Sequence, residues 1–161
     1  YAQTIQAARN AGWSYRTTVV WNENNISRSI ARGSVDSASA PHIIAPVEMI
    51  AILHKGGWKR DSAPSDILHD EWLAWTNGLW TFKGEGRPFL DHPAAFPLEL
   101  PTRLIKLLSF SGDFVCDPFC GSGTTLLAAL STGRIPVGFD IAPVYVSASK
   151  YRVSNLPKAL S

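Results

Sequence analysis

The stretch that most constrains the fold is "FVCDPFCGSGTTLLAALSTGRIPVGFD", residues 114–140. It opens on an apolar strand, Phe114–Cys116, and enters a turn with two glycines, Gly121 and Gly123. A helix is expected over Thr124–Thr132, stopped by Gly133. Ile135–Phe139 then forms a second apolar strand with Asp140 at its end. Two strands joined through one short helix pair in parallel, with a right-handed crossover. The same alternation continues on both sides. Leu100, Leu104, Leu107 and Leu108 mark one face of a helix that ends before a turn at Gly112-Asp113. Pro143 opens a last helix that runs to about Val153. Strand and helix alternating at this spacing predict an α/β fold with a mostly parallel, doubly wound sheet.

The N-terminal part is less regular. Residues 1–10 carry Ile5 and Ala8 on one helical face, with Gly12 as the stop. Thr17–Asn22, "TTVVWN", is β-branched and aromatic and is expected to be a strand. Val47–Lys55 is a second strand candidate, closed by Gly56-Gly57. Between them, residues 23–45 form a long polar loop with Arg28 and Arg32, and loops of that length are often functional. Ser65–Thr76 suggests a short helix. Trp72, Trp75 and Trp80 are expected to pack in the interior, base stacking being the other use of such side chains.

Length and composition set the limits. The chain has 161 residues, a length usual for one domain, and is 45% apolar, enough for a core. A net charge of +2 leaves any nucleic-acid surface to be local. Cys116 and Cys120 have no second Cys/His pair at zinc-finger spacing, so neither a metal site nor a disulfide framework is expected. No apolar run is long enough to span a membrane. The start, "YAQTIQAARNAGW", reads as the interior of a longer sequence.

The glycine turn "DPFCGSGTT" has several candidate guests. A triphosphate loop needs a lysine, and none lies between Lys106 and Lys150. A dinucleotide loop wants a third glycine where Leu126 stands. S-adenosylmethionine needs different chemistry. An acid at the first strand end can pair with its ammonium, glycines let the backbone come close, and an acid at the next strand end can take both ribose hydroxyls. Asp117 and Asp140 occupy those two places, Asp140 nineteen residues after Gly121. A plain strand–turn–helix without ligand is the remaining alternative.

The joined run His92–Ile141 resembles the C-terminal part of the DNA amino-methyltransferases, which methylate adenine N6 or cytosine N4. "HPAAFP" is similar to the family's tenth motif, "DPFCGSGTT" to its first and "GFDI" to its second. The tenth motif directly ahead of the first resembles the permuted β group. "TTVVWNENN" and "APVEMIAILHKGG" resemble the two strands that follow the catalytic motif there. The resemblance implies a Rossmann-like, S-adenosylmethionine-dependent methyltransferase fold, a double-stranded DNA substrate, no metal, and a cytoplasmic enzyme of prokaryotic or phage type. It places Asp117, Phe119, Gly121, Ser122, Gly123 and Thr124 in the cofactor loop. Asp140 is then the ribose acid, Ile141 packs on the adenine, and His92, Pro93 and Phe96 wrap the methionine end. In domain terms, residues 1–161 would be one partial methyltransferase domain. Within it, 23–45 would be a DNA-side loop, 56–91 a variable, target-recognition-like insertion and 92–153 the cofactor-binding half.

One part of the family pattern is not in the chain. The catalytic motif is Asp, Ser or Asn, then Pro-Pro, then an aromatic residue that stacks on a flipped base. No Pro-Pro dipeptide occurs in the 161 residues. In the permuted order this motif and its strand precede Tyr1, and without that strand the sheet is expected to split in two. The chain would then supply the cofactor half of a methyltransferase. It would need an N-terminal segment, on one precursor or on a partner chain, to be active. The alternatives are a non-catalytic module that binds cofactor or DNA, a truncated relic, and a dehydrogenase-like cofactor domain. Arg28, Arg32, Lys55, Lys59 and Arg60 are the candidate DNA contacts, with Lys83 and Arg87 further along. "FPLELP" leans towards cytosine N4.

Overall fold

The structure is a computed structural model that describes residues 1–24, 38–39, 47–59, 65–86 and 95–156. His92, Pro93, Arg28, Arg32, Arg60 and Arg87 lie outside these residues. The elements run α1 (Ala2–Asn10), β1 (Ser14–Asn22), β2 (Val47–His54), α2 (His69–Trp75), β3 (Leu79–Thr81), α3 (Glu99–Leu108), β4 (Phe114–Asp117), α4 (Thr124–Ser131), β5 (Ile135–Gly138) and α5 (Pro143–Ser154). The described strands fall into two sheets, β2-β1-β3 and β4-β5. No helix among the described residues is long and apolar enough to cross a membrane. The chain divides into two compact units. One holds residues 1–60 and 77–84, the other 61–76 and 85–161.

In the first unit, β1 pairs antiparallel with β2, from Ser14↔His54 to Asn22↔Val47, and parallel with β3. The register shifts between Tyr15 and Thr17. Arg16, at that irregularity, places its guanidinium 5.0 Å from the centre of the Trp58 ring. The core of this unit is aromatic. Trp21 and Trp80 stand in register across β1 and β3, 2% and 1% exposed. Trp21 stacks on Phe82 at 5.2 Å and donates its indole N–H to the Phe82 carbonyl at 3.1 Å. A buried indole needs such a partner. Packing is thus the role of Trp80. Trp75 is half-buried under Lys106, whose Nζ lies 5.5 Å from its ring centre, and Trp72 is exposed, against the expectation of an interior place. Near Trp21, Glu48 is pushed above the ordinary glutamate range, first by burial and then by its neighbour Glu23.

In the second unit, β4 and β5 pair in parallel from Phe114↔Ile135 to Asp117↔Gly138, as the sequence predicts. Helices α3 and α4 cover one face. Ile105, Ala128 and Ala129 are buried there with Val115 packed against them. Two consecutive alanines let α4 lie close to the strands. The expected helix over Ser65–Thr76 is shorter, because its first residues do other work. Asp66 reaches Arg134, which follows α4 and is almost wholly buried. Arg134 Nη2 donates to Asp66 Oδ1 at 2.7 Å and to the Ser109 carbonyl at 2.8 Å, and Nε donates to Ser109 Oγ at 3.1 Å. A buried guanidinium requires this degree of satisfaction. A second tie joins α2 to α3. Glu71 accepts from Lys106 and, at 2.9 Å, from the Leu68 N–H.

The Asp66–Arg134 pair gives a pH prediction. The hydrogen bonds from Arg134 hold the Asp66 carboxyl below the ordinary aspartate range, outweighing burial. A carboxylate whose pKa is depressed by folding adds stability above its unfolded value, and that stability is lost as pH falls through the folded value. Asp66→Asn is expected to cost about 1–2 kcal/mol at neutral pH. The gap from wild type should close below about pH 4. Urea unfolding followed at neutral and acid pH measures both; a gap independent of pH would refute the assignment.

Candidate functional site

The strand ends of β4 and β5 meet the glycine turn, and backbone hydrogen bonds fix the junction. The Cys120 N–H donates to the Phe139 carbonyl at 2.8 Å, and the Phe139 N–H donates to the Asp117 carbonyl at 2.9 Å. Asp117 Oδ1 accepts the Phe119 N–H at 3.0 Å, a local turn that aspartate is suited to make. Asp140 stands between two segments. Its Oδ2 accepts the Gly121 N–H and its Oδ1 accepts the Ala142 N–H, each at 2.9 Å. Each carboxylate oxygen has a second lone pair, so Asp140 can hold the loop and still accept from a ligand.

The turn needs its glycines. Gly121 and Gly123 have φ of 50° and 87°. Gly123 also lies against α5, where an added Cβ would stand 2.8 Å from Ser149 Cβ. Above the turn, two apolar side chains are open to solvent, Phe119 at 87% and Ile141 at 99% exposure. Such side chains at the two strand ends offer faces for a flat, apolar ring.

The electrostatics favour a cationic guest. Burial pushes the Cys120 thiol up, a hydrogen bond with Ser149 opposes the shift, and the charges of Asp117 and Asp140 add to it. Those carboxylates therefore set a negative field at the strand ends. A phosphate group would be opposed there, whereas an ammonium or sulfonium would be attracted.

The structure thus gathers Asp117, Phe119, Gly121, Gly123, Asp140 and Ile141 at one place. Ser122 and Thr124 sit in the same loop, but their hydroxyls meet Arg152 of α5, at 3.0 and 3.3 Å from its Nη1. Phe96 is half-buried in the same unit. Arg152 and Ser149 were not among the sequence candidates. Their signal was a polar pair on the inward stripe Tyr145, Ala148, Ser149, Arg152 of α5, whose middle two residues are buried.

Of the candidate DNA contacts, Lys55 and Lys59 lie within the described residues, and Arg28, Arg32 and Arg60 lie outside them. Lys55 follows His54, which pairs with Ser14 at the start of β1. Asn22 pairs with Val47 at the other end of the two strands. Eight residues of strand, roughly 27 Å, separate the two ends. Lys59 is exposed and lies four residues beyond Lys55.

Comparisons with known proteins agree on one family. Residues 3–151 match the family model for N6/N4 methyltransferases, described as DNA methylase. A type II methyltransferase, M.MjaVI of Methanocaldococcus jannaschii, is 53% identical over 92 residues, 56% of this chain and 47% of that protein. The type II methyltransferase M.MthZI of Methanothermobacter thermautotrophicus is 28% identical over 98% of this chain and 48% of its own length. The chain therefore spans about half the length of these curated relatives. Among solved structures, a Thermus thermophilus protein described as a DNA modification methylase, in complex with S-adenosyl-L-methionine, shares the fold. Its TM-score is 0.75 at 28% identity, over 95% of this chain and 58% of that one.

Proposed function

From the premise that the chain belongs to the N6/N4 family of DNA methylases, we propose that it supplies the cofactor-binding half of a methyltransferase that acts on double-stranded DNA. The methyl group of S-adenosylmethionine passes to an exocyclic amino group, adenine N6 or cytosine N4. The sulfonium sulfur leaves with its bonding electrons, and the amino nitrogen gives up a proton.

The observation that carries this reading is Asp140, bonded to both the glycine turn and the start of α5. From there its carboxylate reaches the ribose hydroxyls, Ile141 and Phe119 cover the adenine, and Asp117 pairs with the ammonium. Asp117 Oδ2 has no hydrogen bond among the described residues, which leaves it for that partner. His92, Pro93 and Phe96 are assigned to the methionine end.

The base-binding motif comes from a further segment, on the same precursor or on a partner chain. Two observations support this: the chain has no Pro-Pro dipeptide, and its described strands form two sheets. The phosphate contacts fall to Arg28 and Arg32, with Lys55, Lys59 and Arg60 as further contacts.

Calorimetry and a labelled-methyl transfer assay test the reading together. The chain is expected to bind S-adenosylhomocysteine and not NAD. It should methylate duplex DNA only when a segment carrying the Pro-Pro motif is added, with activity falling steeply as salt rises. Preference for NAD would overturn the cofactor assignment. Full turnover by the chain alone would overturn the two-part site. Binding without restored transfer would favour a non-catalytic cofactor module.

A further inference from the structure

Helix α5 lies under the glycine turn and holds it at two points. Ser149, 5% exposed, fills the space beside Gly123, with its Cα 3.1 Å from where a Cβ on Gly123 would be. One turn further on, Arg152 Nη1 donates to the Ser122 carbonyl at 2.9 Å, with Ser122 Oγ at 3.0 Å and Thr124 Oγ1 at 3.3 Å. Ser122 is itself buried. The arginine is partly desolvated, which lowers its pKa, while the charge of Glu85 opposes that shift.

Ser122 is flanked by two glycines with positive φ, Gly121 and Gly123. Glycine on both sides leaves the intervening peptides free to rotate unless something holds them. Gly121 is held from outside by Asp140 and the Ser122 carbonyl from beneath by Arg152. We propose that Arg152 is a positioning residue: it fixes the Ser122 peptide so that the turn keeps its cofactor-receptive shape, without touching the cofactor. This rests on the reading of the turn as the S-adenosylmethionine loop. It also gives Ser122 and Thr124 a different task, as acceptors that tie the loop to α5.

A loop that populates its receptive shape only part of the time binds its ligand more weakly in proportion. Arg152→Met is therefore expected to weaken S-adenosylhomocysteine binding by about tenfold, a loss of the size of one charge-assisted hydrogen bond. Arg152→Lys, which keeps the charge but not the fork, should lose less and recover part of the affinity. Amide hydrogen exchange in the ligand-free protein supplies a readout independent of the cofactor. The amides of Gly121–Thr124 should exchange faster in Arg152→Met, while those of α3 and β4 stay as in wild type. Unchanged affinity and unchanged loop exchange in Arg152→Met would overturn the proposal, as would equal acceleration at every amide, which marks general destabilisation. If Arg152→Met does not fold, Arg152→Lys with wild-type affinity and wild-type loop exchange overturns it equally. Failure of the wild type to bind S-adenosylhomocysteine would count against the cofactor reading, while the loop-exchange comparison would still decide the role of Arg152.

Discussion

Asp140→Ala is expected to reduce S-adenosylhomocysteine affinity by about a hundredfold or more, the largest effect of any single change at the site. Three losses combine. The Gly121 N–H and the Ala142 N–H each lose an ionised acceptor at 2.9 Å, and the ribose hydroxyls lose theirs. Hydrogen bonds to charged groups contribute about 1.5–3 kcal/mol each. Two such bonds to the ribose hydroxyls, which form only on binding, already exceed the ~2.8 kcal/mol that a hundredfold loss represents. Water can replace part of the backbone bonding in the ligand-free state, so the fall in stability should be smaller than the fall in affinity. Asp140→Asn separates charge from shape. Its amide NH2 must face one of two backbone N–H donors, so one bond becomes a donor–donor clash. The asparagine variant should therefore bind little better than the alanine variant. Calorimetric titration of both variants checks this, and a loss below tenfold in Asp140→Ala would remove Asp140 from the ribose.

How much of this was legible in the sequence depended on how local the cause was. The run from Phe114 to Asp140 announces its elements because apolar strands, glycines and a helical stretch alternate within a few residues. Accordingly β4 and β5 pair in parallel as expected, and α4 ends at Ser131, one residue before the expected last residue Thr132. The strand β3 was not legible. It has three residues, Leu79–Thr81, and exists because Trp80 is buried in register with Trp21, nearly sixty residues earlier. Arg134 follows a glycine and looks like a surface arginine, and Asp66 sits in a polar stretch; nothing local to either signals that they meet in the interior. The DNA candidates are grouped by the sign of their charge alone; Lys55 follows the Ser14 end of the β1–β2 pair, and Arg28, Arg32 and Arg60 lie outside the described residues. In the glycine turn, the resemblance places Ser122 and Thr124 in the cofactor loop. Their hydroxyls also meet Arg152 Nη1, and nothing local to the turn announces that partner, thirty residues after Ser122.

Gly123→Ala should lower stability by about 3 kcal/mol and carry cofactor binding down with it, for two separable reasons. A non-glycine residue at φ 87° pays roughly 1–2 kcal/mol for the left-handed region. The new methyl group would also lie 2.8 Å from Ser149 Cβ and 3.1 Å from Ser149 Cα, and overpacking of this kind typically adds about 1–3 kcal/mol. Ser149 cannot rotate away, because one of the two atoms is backbone and the helix is fixed by its buried stripe. Gly112 separates the terms. Its φ is 84°, and a Cβ there would meet nothing within 4 Å. Gly112→Ala should therefore show the conformational cost alone, and the difference between the two variants is the cost of pushing α5 from the loop. Ser149→Gly in the Gly123→Ala background should recover part of that difference, since it removes the nearer contact and leaves the farther one. Chemical denaturation of the three variants and the wild type measures each term. Equal losses at Gly112 and Gly123 would mean that α5 does not bear on the turn, and the close packing beneath the cofactor loop would have no energetic weight.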